Sequence, residues 1–140
     1  MLLLPTLFTF FALFTPKPQT VEVTITGLHN NKGQLVFGAY RDQATFDKEA
    51  SFIQTAYKKN VVNGKMTVTM QFEPGVYGLT MVDDENADSK MQYFLGLPKE
   101  GFGFSNLQSK GFSKPKFDDF KFTVTSNAPV KVTVPVRYIL

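Results

Sequence analysis

Three observations predict an all-β fold for this chain, an antiparallel β-sandwich of about seven strands. Apolar and polar residues alternate with period two in several short runs. Turn-forming residues separate those runs. Helical periodicity is almost wanting.

The first run holds Val21, Val23 and Ile25 against Glu22, Thr24 and Thr26, a half-buried strand. His29–Gly33 (HNNKG) is turn chemistry, since Asn and Gly tolerate positive φ. Gln34–Tyr40 is the return strand, with Leu35, Phe37 and Ala39 on one face. It either pairs with the first strand or faces it across the domain. Arg41–Ala50 is polar and predicts a short helical turn capped by Asp42, with Phe46 pointing inward. No other helix is expected after the N-terminal leader. Ser51–Val62 reads as a third strand, less cleanly alternating. Asn63-Gly64 signals a type I′ hairpin turn. In Lys65–Phe72 the residues Met66, Val68, Met70 and Phe72 share one face, and Lys65, Thr67, Thr69 and Gln71 the other. Glu73-Pro74-Gly75 predicts a type II turn, and Val76–Val82 the next strand. Lys121–Thr125 is strand-like. Val130, Val132, Val134 and Val136 then alternate with Lys131, Thr133, Pro135 and Arg137. Pro135 has no N–H to donate, which places this last strand at a sheet edge or a bulge.

The composition supports one folded domain. The chain has 140 residues, 43% hydrophobic and 19% charged, enough to bury a core and too apolar for disorder. A net charge of +3, with no basic stripe and no aromatic-basic motif, argues against a nucleic-acid partner. The chain contains no cysteine, which excludes disulfides, thiol catalysis and thiolate zinc. Leu2–Phe14 is almost wholly apolar, too short for an ordinary transmembrane helix and suited to the core of a signal peptide. No Lys or Arg precedes the run, and no Ala-x-Ala site follows it. Residues 1–18 are therefore read as a signal peptide or apolar leader, the alternatives being an uncleaved arm packed on the domain or a misassigned start codon. Residues 19–140 are read as a single β-sandwich domain. The expectation is an exported protein with no transmembrane span in the mature chain.

The chain's uncommon chemistry lies between Phe72 and Asn106. Asp84, Asn86 and Asp88 stand at alternate positions, like the first ligands of a calcium loop. Ser89 stands where such loops place Gly, and Leu95 where they place a bidentate Glu. The competing reading is a solvated turn whose Asp and Asn side chains bond to the backbone. These residues can also tie down the neighbouring glycine-rich segment through its amides. Gly101-Phe102-Gly103-Phe104-Ser105-Asn106 lacks the Lys and the following helix of a phosphate loop. It reads either as an irregular segment whose phenylalanines plug one end of the domain, or as a ligand platform. In the second reading Tyr93, Phe102 or Phe104 stacks on a sugar or peptide, while Glu100 and Asn106 supply hydrogen bonds. His29 is the sole histidine. A Ser105–His29–Asp84 arrangement or an Asp84–Glu100 acid-base pair is conceivable, without a local catalytic signature.

Phe72-x-Pro74-Gly75-x-Tyr77 resembles a turn found in exported sandwich modules, including transthyretin-like domains. A more specific order follows it. Asp84-Glu85-Asn86 leads to Phe94-Leu95-Gly96-Leu97-Pro98-Lys99-Glu100-Gly101-Phe102-Gly103-Phe104-Ser105-Asn106, and then to Pro115, Phe117 and Asp118-Asp119. With Gly33-Gln34-Leu35-Val36, this resembles the bacterial exported family called domain of unknown function 2141, over nearly all the chain after the leader. Asp83 stands where members often have His, and Asp88-Ser89-Lys90-Met91-Gln92 where they often have Asn-Gly-Lys-Leu-Asp. The resemblance implies an exported Ig-like or transthyretin-like (prealbumin-like) sandwich and no established activity. The expectation is a non-enzymatic binding or structural module of the bacterial cell envelope, its partner a glycan or protein. The acidic and Gly-Phe loops would meet at one end as its working surface. The alternatives are a weak calcium-dependent binding module, with calcium the one cofactor considered, and a hydrolase of unknown substrate.

Overall fold

The computed structural model describes residues 12–140. Most of the apolar leader run lies outside the described residues. None of the described helices is long and apolar enough to cross a membrane.

The described chain is mostly strand: β1 (Gln19–Thr26), β2 (Gln34–Tyr40), α1 (Gln43–Asp47), β3 (Phe52–Tyr57), β4 (Met66–Phe72), β5 (Gly75–Asp84), β6 (Tyr93–Phe94), β7 (Leu97–Pro98), β8 (Gly101–Phe104), α2 (Phe117–Phe120), β9 (Lys121–Val124) and β10 (Val130–Pro135). One sheet runs β10-β1-β4 and the second runs β3-β2-β5-β8, with β9 also on β5. Strands β6 and β7 form a separate two-stranded ribbon. That ribbon and β8 fall where the sequence suggested loop, so the structure has more strand segments than the expected seven.

Pairing is antiparallel except between β1 and β10, which run parallel, Val21 beside Val130 through Thr26 beside Pro135. These two strands lie far apart in sequence, so no hairpin dictates their direction. Strand β10 is an edge, as Pro135 requires. Strands β1 and β2 lie in different sheets. Their inward residues join one hydrophobic cluster: Val21, Val23 and Ile25 from β1, Leu35 and Phe37 from β2, Leu79 and Met81 from β5, Val132 and Val134 from β10.

Two turns behave differently from expectation. Asn63 (φ 50°) and Gly64 (φ 71°) form the tight turn, with Val62 and Lys65 exchanging both backbone bonds at 3.0 Å. The hairpin stops there, because β3 pairs with β2 and β4 with β1. The chain passes between sheets at Lys58, whose N–H donates to the Gly33 carbonyl and whose side chain turns inward. At Gly75 φ is 157°, whereas a type II turn needs roughly +80° at that position. The Pro74 corner is an open bend that moves the chain from β4 to the other sheet.

Helix α1 is capped by Asp42, which accepts the Thr45 N–H at 2.7 Å, and it buries Phe46. Helix α2 was not expected, since four residues carry no periodic signal. Its Phe117 and Phe120 form a second cluster with Tyr40 and Phe46, and Phe104 and Leu107 pack against it. Gly78 leaves room for this layer, because a β-carbon there would lie 2.5 Å from Phe120.

Candidate functional site

Strand β5 carries the site. Alternation puts Tyr77, Leu79 and Met81 in the core, and carrying it on points Asp83 inward and Asp84 outward. Asp83 is fully buried and bonded to Lys58 Nζ at 2.6 Å, with both side chains inaccessible. Lys58 Nζ also donates to Asn30 Oδ1 at 3.1 Å. The Tyr138 hydroxyl donates to the other Asp83 oxygen. Burial, then the bond and charge of Asp83, hold the Tyr138 hydroxyl above the ordinary tyrosine range. His29 stacks on Tyr138 with ring centroids 3.6 Å apart. A buried lysine and carboxylate thus satisfy each other where the core ends.

Asp84 is fully buried too and is the hub of the acidic loop. Its carboxylate accepts Gln34 Nε2 at 2.7 Å, the Ser89 N–H at 2.8 Å and the Asp88 N–H at 3.2 Å. These bonds hold a turn in which Ala87 (φ 57°) and Ser89 (φ 60°) both adopt left-handed backbone. The backbone amides that Asp84 collects belong to its own loop, not to the glycine-rich segment. Asp88 accepts the Lys90 N–H and Gln92 Nε2, each at 2.8 Å, and these bonds hold its carboxyl below the usual range. Asn86 Nδ2 donates to Asp88 Oδ2 at 3.2 Å. Glu100 enters from the far side of the ribbon and accepts the Gln92 N–H at 3.3 Å. One oxygen each of Asp84, Asp88 and Glu100 lies within 4.8 Å of the others. No described Lys or Arg forms an ion pair with any of the three. Burial, then the charges of Asp84, Asp88 and Asp83, push the Glu100 carboxyl up. Such a set of hard oxygens is the donor chemistry that calcium accepts.

The Gly-Phe segment is regular strand, which corrects its reading as irregular backbone. In β8 Phe102 stands beside Val82 and Phe104 beside Thr80, on the outer face. The glycines face inward against the C-terminal strand. A β-carbon on Gly103 would lie 2.6 Å from the Pro135 carbonyl oxygen, and one on Gly101 2.5 Å from the Tyr138 ring. The alternation of Gly with Phe therefore records a crowded inner face and an open outer one. Phe104 packs edge-on or tilted against Phe46 and Phe120, so it belongs largely to the helical cover. Phe102 borders a groove of about 430 Å³ whose lining includes Tyr93, Leu97, Pro98, Phe104 and Phe112.

The expected site residues thus divide between two places. Tyr93, Phe102 and Phe104 line the groove. Glu100 and Asn86 line a more polar cleft with His29, Gln92, Lys99 and Tyr138, beside the acidic cluster. Asn106 lines neither: it takes left-handed backbone (φ 53°), and its side chain accepts the Thr133 N–H at 2.9 Å. Ser105 is fully buried, accepting the Leu79 N–H at 3.0 Å and donating to the Phe120 carbonyl. It splices β5 between its two partners, β8 and β9, and its hydroxyl has no freedom to act as a nucleophile. Sequence reasoning did not single out Lys58, Gln34 or Tyr138. Extending period two from Gln54 and Ala56 to Lys58, and from Leu79 and Met81 to Asp83, places a lysine and an aspartate inward together.

A family model described as "Uncharacterized protein conserved in bacteria (DUF2141)" matches residues 23–133. No curated protein and no solved structure gives a significant match to the chain.

Proposed function

Starting from the chain's membership of this uncharacterised bacterial family, we propose that it is a non-enzymatic binding or structural module of the cell envelope. Its ligand, a glycan or an extended peptide, lies in the groove beside β8. The observation that carries this reading is the groove's lining: Tyr93, Phe102 and Phe112 present aromatic surface around about 430 Å³, the size of an ordinary ligand site. The fold we assign is a β-sandwich of the Ig-like or transthyretin-like kind. Sharing of one core by residues of both sheets supports it. Export is inferred from the apolar Leu2–Phe14 run. Hydrolysis is the reading the geometry favours least, since the Ser105 hydroxyl is committed to backbone.

A second reading, weak calcium-dependent binding, is favoured by the convergence of Asp84, Asp88 and Glu100. In that case the ion would brace the root of the β6–β7 ribbon, through Glu100 and Gln92, and so the rim of the groove.

The test is a binding screen of cell-wall glycans and peptides with wild type and a Tyr93→Ala, Phe102→Ala variant. The proposal expects a ligand whose binding the variant loses. Equal binding by both proteins would assign recognition to another surface.

A further inference from the structure

The β6–β7 ribbon turns apolar side chains outward. It pairs Tyr93 with Pro98 and Phe94 with Leu97, which leaves Leu95-Gly96 as a two-residue turn. Both turn residues take left-handed backbone (φ 50° and 78°), as a type I′ turn requires. Asn, Asp or Gly usually fills the first of these positions, and a Leu side chain seldom adopts that backbone. Leu95 nonetheless forms the tip and is 87% exposed. Successive strand residues point to opposite faces, yet Tyr93 and Phe94 are 62% and 56% exposed. Apolar surface therefore meets solvent on both faces of the ribbon and at its end. A folded protein partner would cover one face of such a ribbon, whereas a medium that surrounds the tip covers all of it.

The charge around the tip is of one sign. From Ser89 to Phe117 the sequence carries Lys90, Lys99, Lys110, Lys114 and Lys116, and its one acid, Glu100, is buried. Lys114 is taken by Asp47 at 3.8 Å, but Lys90, Lys99 and Lys110 form no ion pair among the described residues. Asp88, the acid just before this stretch, is bonded into the acidic loop. Phe112 lies on a second segment that lines the same groove as Tyr93 and Leu97. It is 75% exposed, with the Arg137 guanidinium 5.7 Å from its ring centre.

We propose that the ribbon tip docks on an anionic lipid bilayer, Phe94 and Leu95 entering the headgroup region while Lys90, Lys99 and Lys110 meet lipid phosphates. Tyr93, with an apolar ring and a polar hydroxyl, suits the level of the headgroups. Apolar contact and charge attraction, each weak alone, add together in peripheral attachment of this kind. The inference gives the envelope module a lipid-facing surface, and it holds whether or not the groove takes a glycan or peptide.

The chain has no tryptophan, so Phe94→Trp places a single reporter on the ribbon. On the full chain, the expected result is a blue-shifted emission with vesicles of phosphatidylcholine and phosphatidylglycerol, quenched by lipids brominated on their acyl chains. Tyr57→Trp, exposed on β3, controls for attachment through the N-terminal leader and should stay unshifted. With the Phe94→Trp reporter, adding Leu95→Asn should weaken vesicle binding at least about tenfold. Asn suits the turn, so this variant should keep the fold. Lys90→Glu with Lys99→Glu should weaken binding too, as should raised salt. An unshifted Phe94→Trp reporter overturns the proposal. So does an equal shift on phosphatidylcholine alone, or a Leu95→Asn variant that binds as its parent does. Equal shifts from Tyr57→Trp and Phe94→Trp would give the attachment to another surface and overturn it as well. Glycan and peptide binding is measured without vesicles, so the groove reading and this one can fail separately.

Discussion

Lys58 and Asp83 form an ion pair at 2.6 Å in which neither side chain reaches solvent. The pair joins the end of β3 to the end of β5, and Tyr138 closes it from the C-terminal segment. Removing one partner strands the other charge in the interior. Lys58→Met is therefore expected to cost about 3–5 kcal/mol. Replacing both, as Lys58→Met with Asp83→Leu, should recover most of that loss, since the desolvation penalty then disappears as well. Urea denaturation of the three proteins measures this. A double variant no more stable than Lys58→Met would mean that the pair is not what Lys58 contributes.

Much of this fold is legible in the sequence because period two is strong where one sheet face is buried. Gln34–Tyr40 and Met66–Phe72 come out at or within a residue of the observed strands, and Asp42 caps α1 as its residue type implies. The rest is less legible for physical reasons. Which strands pair is settled across the domain, so Asn63-Gly64 makes its turn without making a hairpin. In β8 the phenylalanines face outward, Phe104 against the helical cover and Phe102 toward the groove, and the inner positions are glycines because another strand crosses there. Alternation alone does not disclose that inversion. The site was half legible. Asp84 and Asp88 stand out by spacing, but Glu100 joins them only because the β6–β7 ribbon doubles back.

Glu100 predicts an unusual pH dependence. Its carboxyl is pushed up by burial and then by three neighbouring aspartates. A carboxyl raised on folding makes the native state bind more protons than the unfolded chain. Its favourable contribution is complete below the unfolded value, about 4.3, and is lost as pH rises through the higher folded value. Glu100→Gln removes that loss and keeps an oxygen for the Gln92 N–H. The variant should melt above wild type at pH 7, and the gap should narrow as pH falls toward the unfolded value. A gap that stays constant with pH would assign the difference to packing instead.

A divalent cation at the same cluster would reverse this term, because the ion favours all three carboxylates charged. Under the calcium reading, about tenfold excess over the dissociation constant should raise the wild-type melting temperature by roughly 3–6 °C. Asp88→Asn with Glu100→Gln should show no such rise. These two are better probes than Asp84, whose replacement would also release the Ser89 and Asp88 amides. Equal shifts in wild type and variant would place any calcium effect elsewhere.

The inward glycines of β8 make a sharp packing prediction. Gly103→Ala would set a methyl group 2.6 Å from both the Pro135 carbonyl oxygen and Val134 Cγ1. The backbone contact cannot be relieved by a side-chain rotation, so β8 must move away from β10. Overpacking of this kind is expected to cost about 2 kcal/mol or more. The measurement is chemical denaturation, with Gly96→Ala as a size-matched comparison, since Gly96 has no atom within 4 Å of its β-carbon position. Its φ of 78° makes that variant pay backbone strain alone.

The two β8 phenylalanines should separate recognition from packing. Phe104 packs against Phe46 and Phe120, members of the buried cluster that holds α1 and α2 to the sheet. Phe104→Ala is therefore expected to cost about 2 kcal/mol, through the packing lost against Phe46 and Phe120. Phe102 is half-buried like Phe104, but among the described rings it meets Phe104 alone and otherwise borders the groove, so Phe102→Ala should cost about 1 kcal/mol. If the groove is the binding surface, ligand affinity should order the other way. Phe102→Ala should lose at least about tenfold, the loss of one stacking contact, while Phe104→Ala, assayed well below its melting temperature, should lose less. Denaturation and ligand titration on the same pair of variants give both orders. Parallel orders would mean that β8 acts on binding only through the stability of the sheet, and the recognition surface would have to be sought away from the groove.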